Sequence, residues 1–260
     1  MSLKNGSQAM SKRKFKGSVV LNPVPVVMIS TKNKEGKENV FTVAWTGTVC
    51  TKPPMLSISV RPSRLSYEYI KETMSFVVNI PSSDMVKKVD YCGVRSGRTN
   101  DKIKEMGFTM IPCDDIEGSY INECPISIEC KVKSIVPLGT HDMIIADVLS
   151  SHIDESLMDE KGKIHFEKGD LITYCHGEYY KMPQNSIGKF GYSVMKKKTL
   201  KIKNQEKKSK GELKEKDNKK DSKKKSKDEK NSKKKINNLK NKIKSSSTSK
   251  KNSKKKRKIK

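Results

Sequence analysis

The residues best suited to chemistry in this sequence are donors for an anion. The segment "RPSRLSYE" sets Arg61, Pro62, Ser63, Arg64 and Ser66 between an apolar run and a stretch of helical spacing. The segment "CGVRSGRTNDK" repeats the theme with Gly93, Arg95, Ser96, Gly97, Arg98 and Lys102. Guanidinium forks bind phosphate or carboxylate in a bidentate manner, and a helix N-terminus adds free N–H groups and a favourable dipole. Taken alone, the first segment reads equally well as a solvated turn with Ser63 as helix N-cap. The second lacks the spacing of a P-loop. Two such loops in one near-neutral region favour an anionic group more than either does separately.

A third stretch, "TVAWTGTV", surrounds Trp45, the sole tryptophan, with Thr42, Ala44, Thr46, Gly47 and Thr48. It reads either as a strand whose glycine marks a bulge, or as a surface of small residues on which a flat ligand approaches the backbone. His141 follows Gly139 and precedes Asp142 at a strand start, as a cap residue or a substrate contact. Nothing pairs it with a nucleophile: the order and elbow motifs of Ser-His-Asp hydrolases are missing, and no catalytic side chain is assigned. His152, His165 and His176 show no HxH or HxxxH spacing, so no metal is expected. Cys92 adjoins the basic loop, where its pKa could fall, although buried and inert is the commoner fate of a thiol.

The elements that must position these groups are mostly strands. Val26–Thr31 and residues 40–49 read as strands joined by the polar turn "KNKEGKEN", and "PPMLSISV" as a third. "RLSYEYIKET" is helical, "FVVNI" a short buried strand, and "SDMVKKVDYC" a helix capped by Ser82 or Ser83. "DKIKEMG" is a short helix closed by Gly107. Ile126–Ile135, Asp142–Ile153 and Leu171–Cys175 complete the strands. With strands outnumbering short helices and no βαβ rhythm, the reading is a mainly β, antiparallel barrel with helical insertions.

Charge divides the chain. Of 260 residues, positions 196–260 hold 31 Lys/Arg against 7 Asp/Glu, a net +24, which leaves +3 for the rest. This segment has no aromatic residue and too little apolar surface to offset the entropy of ordering, so it is expected to be disordered. Residues 1–17 read as a flexible lead-in and 18–195 as one domain. Six scattered cysteines without a CxxC pair, no apolar leader and no membrane-spanning run point to a cytoplasmic protein with free thiols.

Four segments together, "NVFTVAWTGTVCTKPPMLSISVRPSRLSYEYIKET", "VDYCGVRSGRTNDKIKEMG", "ECPISIECKVKSIVPLGTHDMIIADV" and "HGEYY", resemble the flavin reductase-like family. The likeness is to its flavoredoxin-type, FMN-binding split-barrel branch, over roughly residues 18–195. The resemblance implies a six-stranded antiparallel split barrel, a homodimer, and FMN held non-covalently near the subunit interface. It implies that the Thr42–Thr48 backbone lines the flavin ring and that Arg61, Ser63 and Ser66, with Pro62 between them, reach the phosphate. Arg95, Ser96 and Lys102 become further phosphate or ribityl contacts. His141 stands where relatives carry Gly-Asp-His; here the motif is Gly-Thr-His, which weakens a direct role toward NADH or NADPH. The function so implied is an oxidoreductase passing electrons through FMN from NAD(P)H or a redox protein. A reading of another class makes residues 196–260 a salt-sensitive contact for nucleic acid or another anionic surface, with the barrel as platform.

Overall fold

The computed structural model describes residues 11–195. The lysine-rich stretch 196–260 and the first ten residues of the lead-in lie outside the described residues. The chain divides into two units, residues 1–186 and 187–260; the described part of the second carries one 3-10 turn, Tyr192–Val194.

In the first unit the elements run β1 (Val24–Pro25), β2 (Val27–Lys32), β3 (Glu38–Val43), β4 (Thr46–Thr51), β5 (Pro54–Val60), α1 (Leu65–Thr73) and β6 (Ser75–Ile80). They continue with α2 (Val86–Val94), α3 (Lys102–Met106), β7 (Met110–Pro112), β8 (Ser119–Ile121), β9 (Ile126–Pro137), β10 (Asp142–Ile153), β11 (Ile172–Cys175) and β12 (Glu178–Lys181). The principal sheet is antiparallel, in the order β3-β2-β6-β9-β10-β5-β4. Residues 40–49, expected as one strand, leave the β3 ladder at Ala44 and Trp45 and re-enter the sheet as β4 at its opposite end. That bend closes the barrel. Counted through it, the chain makes six passes, and the fold is the mainly β split barrel expected.

The sequence pattern explains why both faces of the early strands are covered. Val27 and Ile29 of β2 point into the barrel, packing with Phe41, Ile58, Ile70, Phe76 and Ile144. Val26 and Met28 face outward, into a second core with Val40, Met85, Val89, Phe108 and Ile121. A run apolar at every position is what a strand buried on both sides requires. The outer core is roofed by α2, α3 and the β7–β8 hairpin. The hairpin was not foreseen, because strands of three residues leave too little periodicity to read.

Two local expectations change. Helix α1 takes Arg64, not Ser63, as its N-cap, and no side chain caps its first N–H groups. The irregularity in the β4–β5 ladder falls between Thr48 and Cys50, at Val49 and not at Gly47. As expected, Gly107 closes α3 in the left-handed conformation, at φ 59°.

Candidate functional site

The start of α1 and the loop leaving α2 face each other across a cavity of about 120 Å³. Ser63, Arg64, Ser66, Arg95, Ser96 and Lys102 line it, and no Asp or Glu does. The loop can come this close because residue 97 is glycine. A Cβ there would lie 2.3 Å from the Asn39 side-chain oxygen, so any larger residue would displace either the loop or the Asn39 side chain. Helix α2 is seated in the same way, with the Thr42 hydroxyl donating to the Val89 carbonyl at 2.5 Å.

Lys102 forms the floor. Its side chain lies almost wholly out of water, at 3 % exposure. Its ammonium donates to the carbonyls of Cys92 at 3.1 Å and Arg95 at 3.3 Å. These bonds cap the last turn of α2. Among the described residues no carboxylate pairs with it. Burial, assisted by nearby Arg64 and only partly offset by the Cys92 thiol, pushes its pKa down to about 8. Keeping it charged at neutral pH costs the fold on the order of 3 kcal/mol. Cys92 itself is pushed up to about 11 by burial, so the basic surroundings do not make it a thiolate.

A second cavity, of about 380 Å³, opens beside the first; Phe41, Thr42 and Arg64 belong to both. Its walls include Ala44, Trp45, Arg61 and His141, again without a carboxylate. Trp45 is 39 % exposed and offers its indole as a planar wall. The Thr140 hydroxyl sits 2.9 Å from His141 Nδ1. Asp142, the acid next in sequence, is buried and accepts the Tyr67 hydroxyl at 2.5 Å. That contact raises the Tyr67 pKa, chiefly through the hydrogen bond.

The structure thus gathers ten of the residues singled out in the sequence around two joined cavities. Ser63, Ser66, Arg95, Ser96 and Lys102 surround the smaller, Ala44, Trp45, Arg61 and His141 the larger, and Thr42 lies at their junction. Thr46, Gly47 and Thr48 lie on the edge strand β4, and Pro62 in the turn before α1; these four line neither cavity. The Ser66 hydroxyl is already engaged, accepting from Asn39 Nδ2 at 2.7 Å and Thr31 Oγ1 at 3.2 Å. Asn39 was not singled out in the sequence, and Arg64 was named as an anion donor but not among the expected flavin contacts. Arg64 had a visible signal, since it stands in the same cationic segment; Asn39 had none, because tertiary contacts with Ser66 and Gly97 bring it in. A third cavity, of about 580 Å³, lies beyond Asn39 and Gly97, but its walls mix Lys37 and Lys104 with Glu38 and Asp101. It is the largest of the three but lacks the uniform charge of the other two.

One cluster elsewhere has the residue types of a metal site: Asp114, Glu129 and His152. Its centre is the fully buried Glu129 carboxylate. Oε1 accepts from the Asp114 N–H at 3.1 Å and lies 2.6 Å from His152 Nε2, while Oε2 accepts from the Asp115 N–H at 2.9 Å. Two ligands of one tetrahedral zinc stand about 3.3 Å apart, so the His152–Glu129 separation is that of a hydrogen bond. Burial alone would raise the Glu129 pKa, but the bonds from His152 and the two backbone N–H groups outweigh it and hold the group ionised. His152 also stacks on Tyr120, at 4.4 Å between ring centroids. The cluster fastens the β7–β8 hairpin to the barrel, through Asp114 and Asp115 in its turn and Tyr120 in β8.

The family model of the flavin reductase like domain matches residues 20–183 of this chain. The chain belongs to that family. Its fold matches solved members and relatives closely. A flavoredoxin from Methanosarcina acetivorans is 30% identical, with a TM-score of 0.65, covering 72% of this chain and 100% of that one. The flavoredoxin of Desulfovibrio vulgaris (Miyazaki F) is 26% identical, with a TM-score of 0.66 and coverage of 70% and 100%. Component B of the nitrilotriacetate monooxygenase of Bacillus cereus is 25% identical, with a TM-score of 0.59 and coverage of 64% and 87%. In this flavin reductase-like chain the two cavities fall within the matched region, and residues 196–260 fall outside it. All six cysteines are free, and no helix among the described residues is long and apolar enough to cross a membrane.

Proposed function

We propose that this chain is an FMN-binding oxidoreductase of the flavoredoxin type, with the flavin phosphate in the Lys102 cavity and its ring in the cavity walled by Trp45. The observation that carries the reading is the buried, unpaired charge of Lys102 in an acid-free cavity. Such a group is held at a cost unless an anion completes it, and a phosphate monoester is dianionic and small enough for that space. Arg64 and Arg95 add guanidinium forks, and Ser63 and Ser96 add hydroxyls. The uncapped first turn of α1, nine residues long, adds backbone donors. Thr42 and Phe41, common to both cavities, give the ligand a continuous path toward Ala44 and Trp45.

When bound, FMN supplies the electron-transfer chemistry. The chain's part is to fix the phosphate, to lay the ring against β3 where it bends, and to leave one face open beside Trp45 and His141. None of these tasks needs a side chain to give or take a proton. The donor is NAD(P)H or a reduced redox protein; anaerobic mixing with each separates the two, since a dedicated carrier stays oxidised with NADH and NADPH. A homodimer in the cytoplasm fits this reading, with the exposed edge strand β4 and its apolar Val49 as contact surface.

The deciding measurement is a titration of flavin-free protein with FMN and with riboflavin, followed by the visible flavin band. FMN should bind about 100-fold more tightly, the value of two charge-assisted hydrogen bonds to the phosphate. Equal affinities would remove the phosphate from the Lys102 cavity. A second reading rests on the segregated charge of residues 196–260: weak, salt-sensitive binding to nucleic acid. Retention of that binding by a chain ending at residue 195 would refute it.

A further inference from the structure

The larger cavity carries more positive charge than its proposed ring can use. Arg61 and Arg64 both border it, yet neither has a carboxylate within ion-pair distance among the described residues. Arg64 also borders the Lys102 cavity, so a phosphate there takes up its charge. Arg61 does not reach that cavity. It stands exposed, one residue past the end of β5, on the same wall as Trp45 and His141. Asp142, which pairs across the ladder with the neighbouring Val60, is unavailable to it: it is buried, with the Tyr67 hydroxyl bonded to its carboxylate. Thr140 occupies Nδ1 of His141, and Nε2 has no partner among the described residues. An exposed guanidinium, an imidazole whose Nε2 donates when the Thr140 hydroxyl donates to Nδ1, and a half-exposed indole therefore share one opening, and no negative charge lines it.

We infer that this opening selects a planar, anionic redox partner, an aromatic carboxylate or sulfonate, with Arg61 as the residue that sets the charge preference. The aromatic part lies on Trp45 and the proposed flavin ring; the acid group is held by Arg61 and His141 Nε2. The inference rests on the flavin reading for the second wall of the slot. Its charge selectivity rests on the chain's own residues. An arginine suits the role because its fork matches a carboxylate and its charge persists at any physiological pH. The cavity is of the size that small-molecule sites occupy, roughly 300–1,000 Å³.

The test uses two probes of equal shape, 2-naphthoate and 2-naphthamide, titrated calorimetrically into the full chain with and without saturating FMN. Flavin occupancy is read separately from the visible band. The naphthoate should bind about tenfold more tightly than the amide. The preference should fall close to one in Arg61→Ala and return in Arg61→Lys, which restores the charge. Because the readout is a ratio within each variant, a general loss of the cavity lowers both affinities and leaves it interpretable. A ratio near one in the unaltered chain overturns the inference, and an unchanged ratio in Arg61→Ala overturns the part given to that residue. Failure to take up FMN while the ratio survives would instead sink the flavin reading and leave an anion-selective cavity standing.

Discussion

Two of the buried charged residues, Glu129 and Lys102, have completely different surroundings. Glu129, at 0 % exposure, is satisfied within the fold by two backbone N–H groups and His152. Lys102, at 3 % exposure, has two carbonyl oxygens and, among the described residues, no counterion. A buried charge whose partners all come from the chain is a fastening. A buried charge left without an opposite charge, in a cavity lined by further cations, is half of an interaction whose other half comes from outside. The contrast separates structure from function more sharply than burial or residue type, since both groups sit on the barrel's outer side next to loops.

The contrast predicts opposite signs for two substitutions. Glu129→Ala leaves the Asp114 and Asp115 N–H groups and His152 without their acceptor, and removing one partner of a buried pair costs about 3–5 kcal/mol. Chemical denaturation should register a loss of that size. The loss should shrink in acid: Glu129 has a lowered folded pKa, so its contribution is present above pH 4.5 and disappears as pH falls through the folded value. Lys102→Met should leave the flavin-free fold as stable or up to about 2 kcal/mol more stable, because it removes an uncompensated charge and keeps the volume. The same variant should lose about 30-fold or more in FMN affinity. If Lys102→Met destabilises the fold and binds FMN normally, the lysine is a helix cap and nothing else.

A smaller effect probes the wall of the Lys102 cavity that separates it from the mixed-charge third cavity. Gly97→Ala puts a methyl group within 2.3 Å of the Asn39 side chain, which is itself bonded to Ser66. Either the loop lifts or the Asn39–Ser66 bond breaks, and overpacking of this kind costs about 1–3 kcal/mol. The change should appear as weaker FMN binding, with riboflavin affinity less affected, since the displaced loop carries Arg95 and Ser96. Equal loss for both ligands would place the loop against the ring.

Much of this was legible in the residues alone. The alternation of strands, the helix before "FVVNI" and the glycine closing α3 follow from local pattern, and the two cationic loops stand out because arginine, serine and glycine recur together there. What escaped was set by tertiary contact. Whether Arg61 or Arg64 turns toward Lys102 depends on where α1 starts. Local propensity favoured Ser63 as its cap, whereas the structure begins one residue later. The single strand expected over residues 40–49 hid a bend that no residue type marks, because Ala44 and Trp45 are both compatible with a continuous strand. The burial of Lys102 was invisible as well; a lysine in "NDKIKEM" looks like any solvated helix residue until Cys92 and Arg95 close over it.

The smallest effect is also the most specific to Lys102. In the flavin-free fold its pKa stands near 8 against 10.5 for an unburied lysine. Below pH 8 the lysine is charged in both folded and unfolded chains, and its burial cost is fully present. Between about 8 and 10.5 the folded form releases its proton first, so this residue's penalty fades and the flavin-free fold gains stability as pH rises. Binding of a phosphate has the reverse dependence, because it needs the ammonium. FMN affinity should therefore be level from about pH 7 to 8 and then fall, by at most tenfold per pH unit for a single proton. Riboflavin, which has no phosphate, should show no such fall, and Lys102→Met should flatten the FMN profile. A fall of equal size for riboflavin would trace the pH effect to the flavin ring and sever Lys102 from the phosphate.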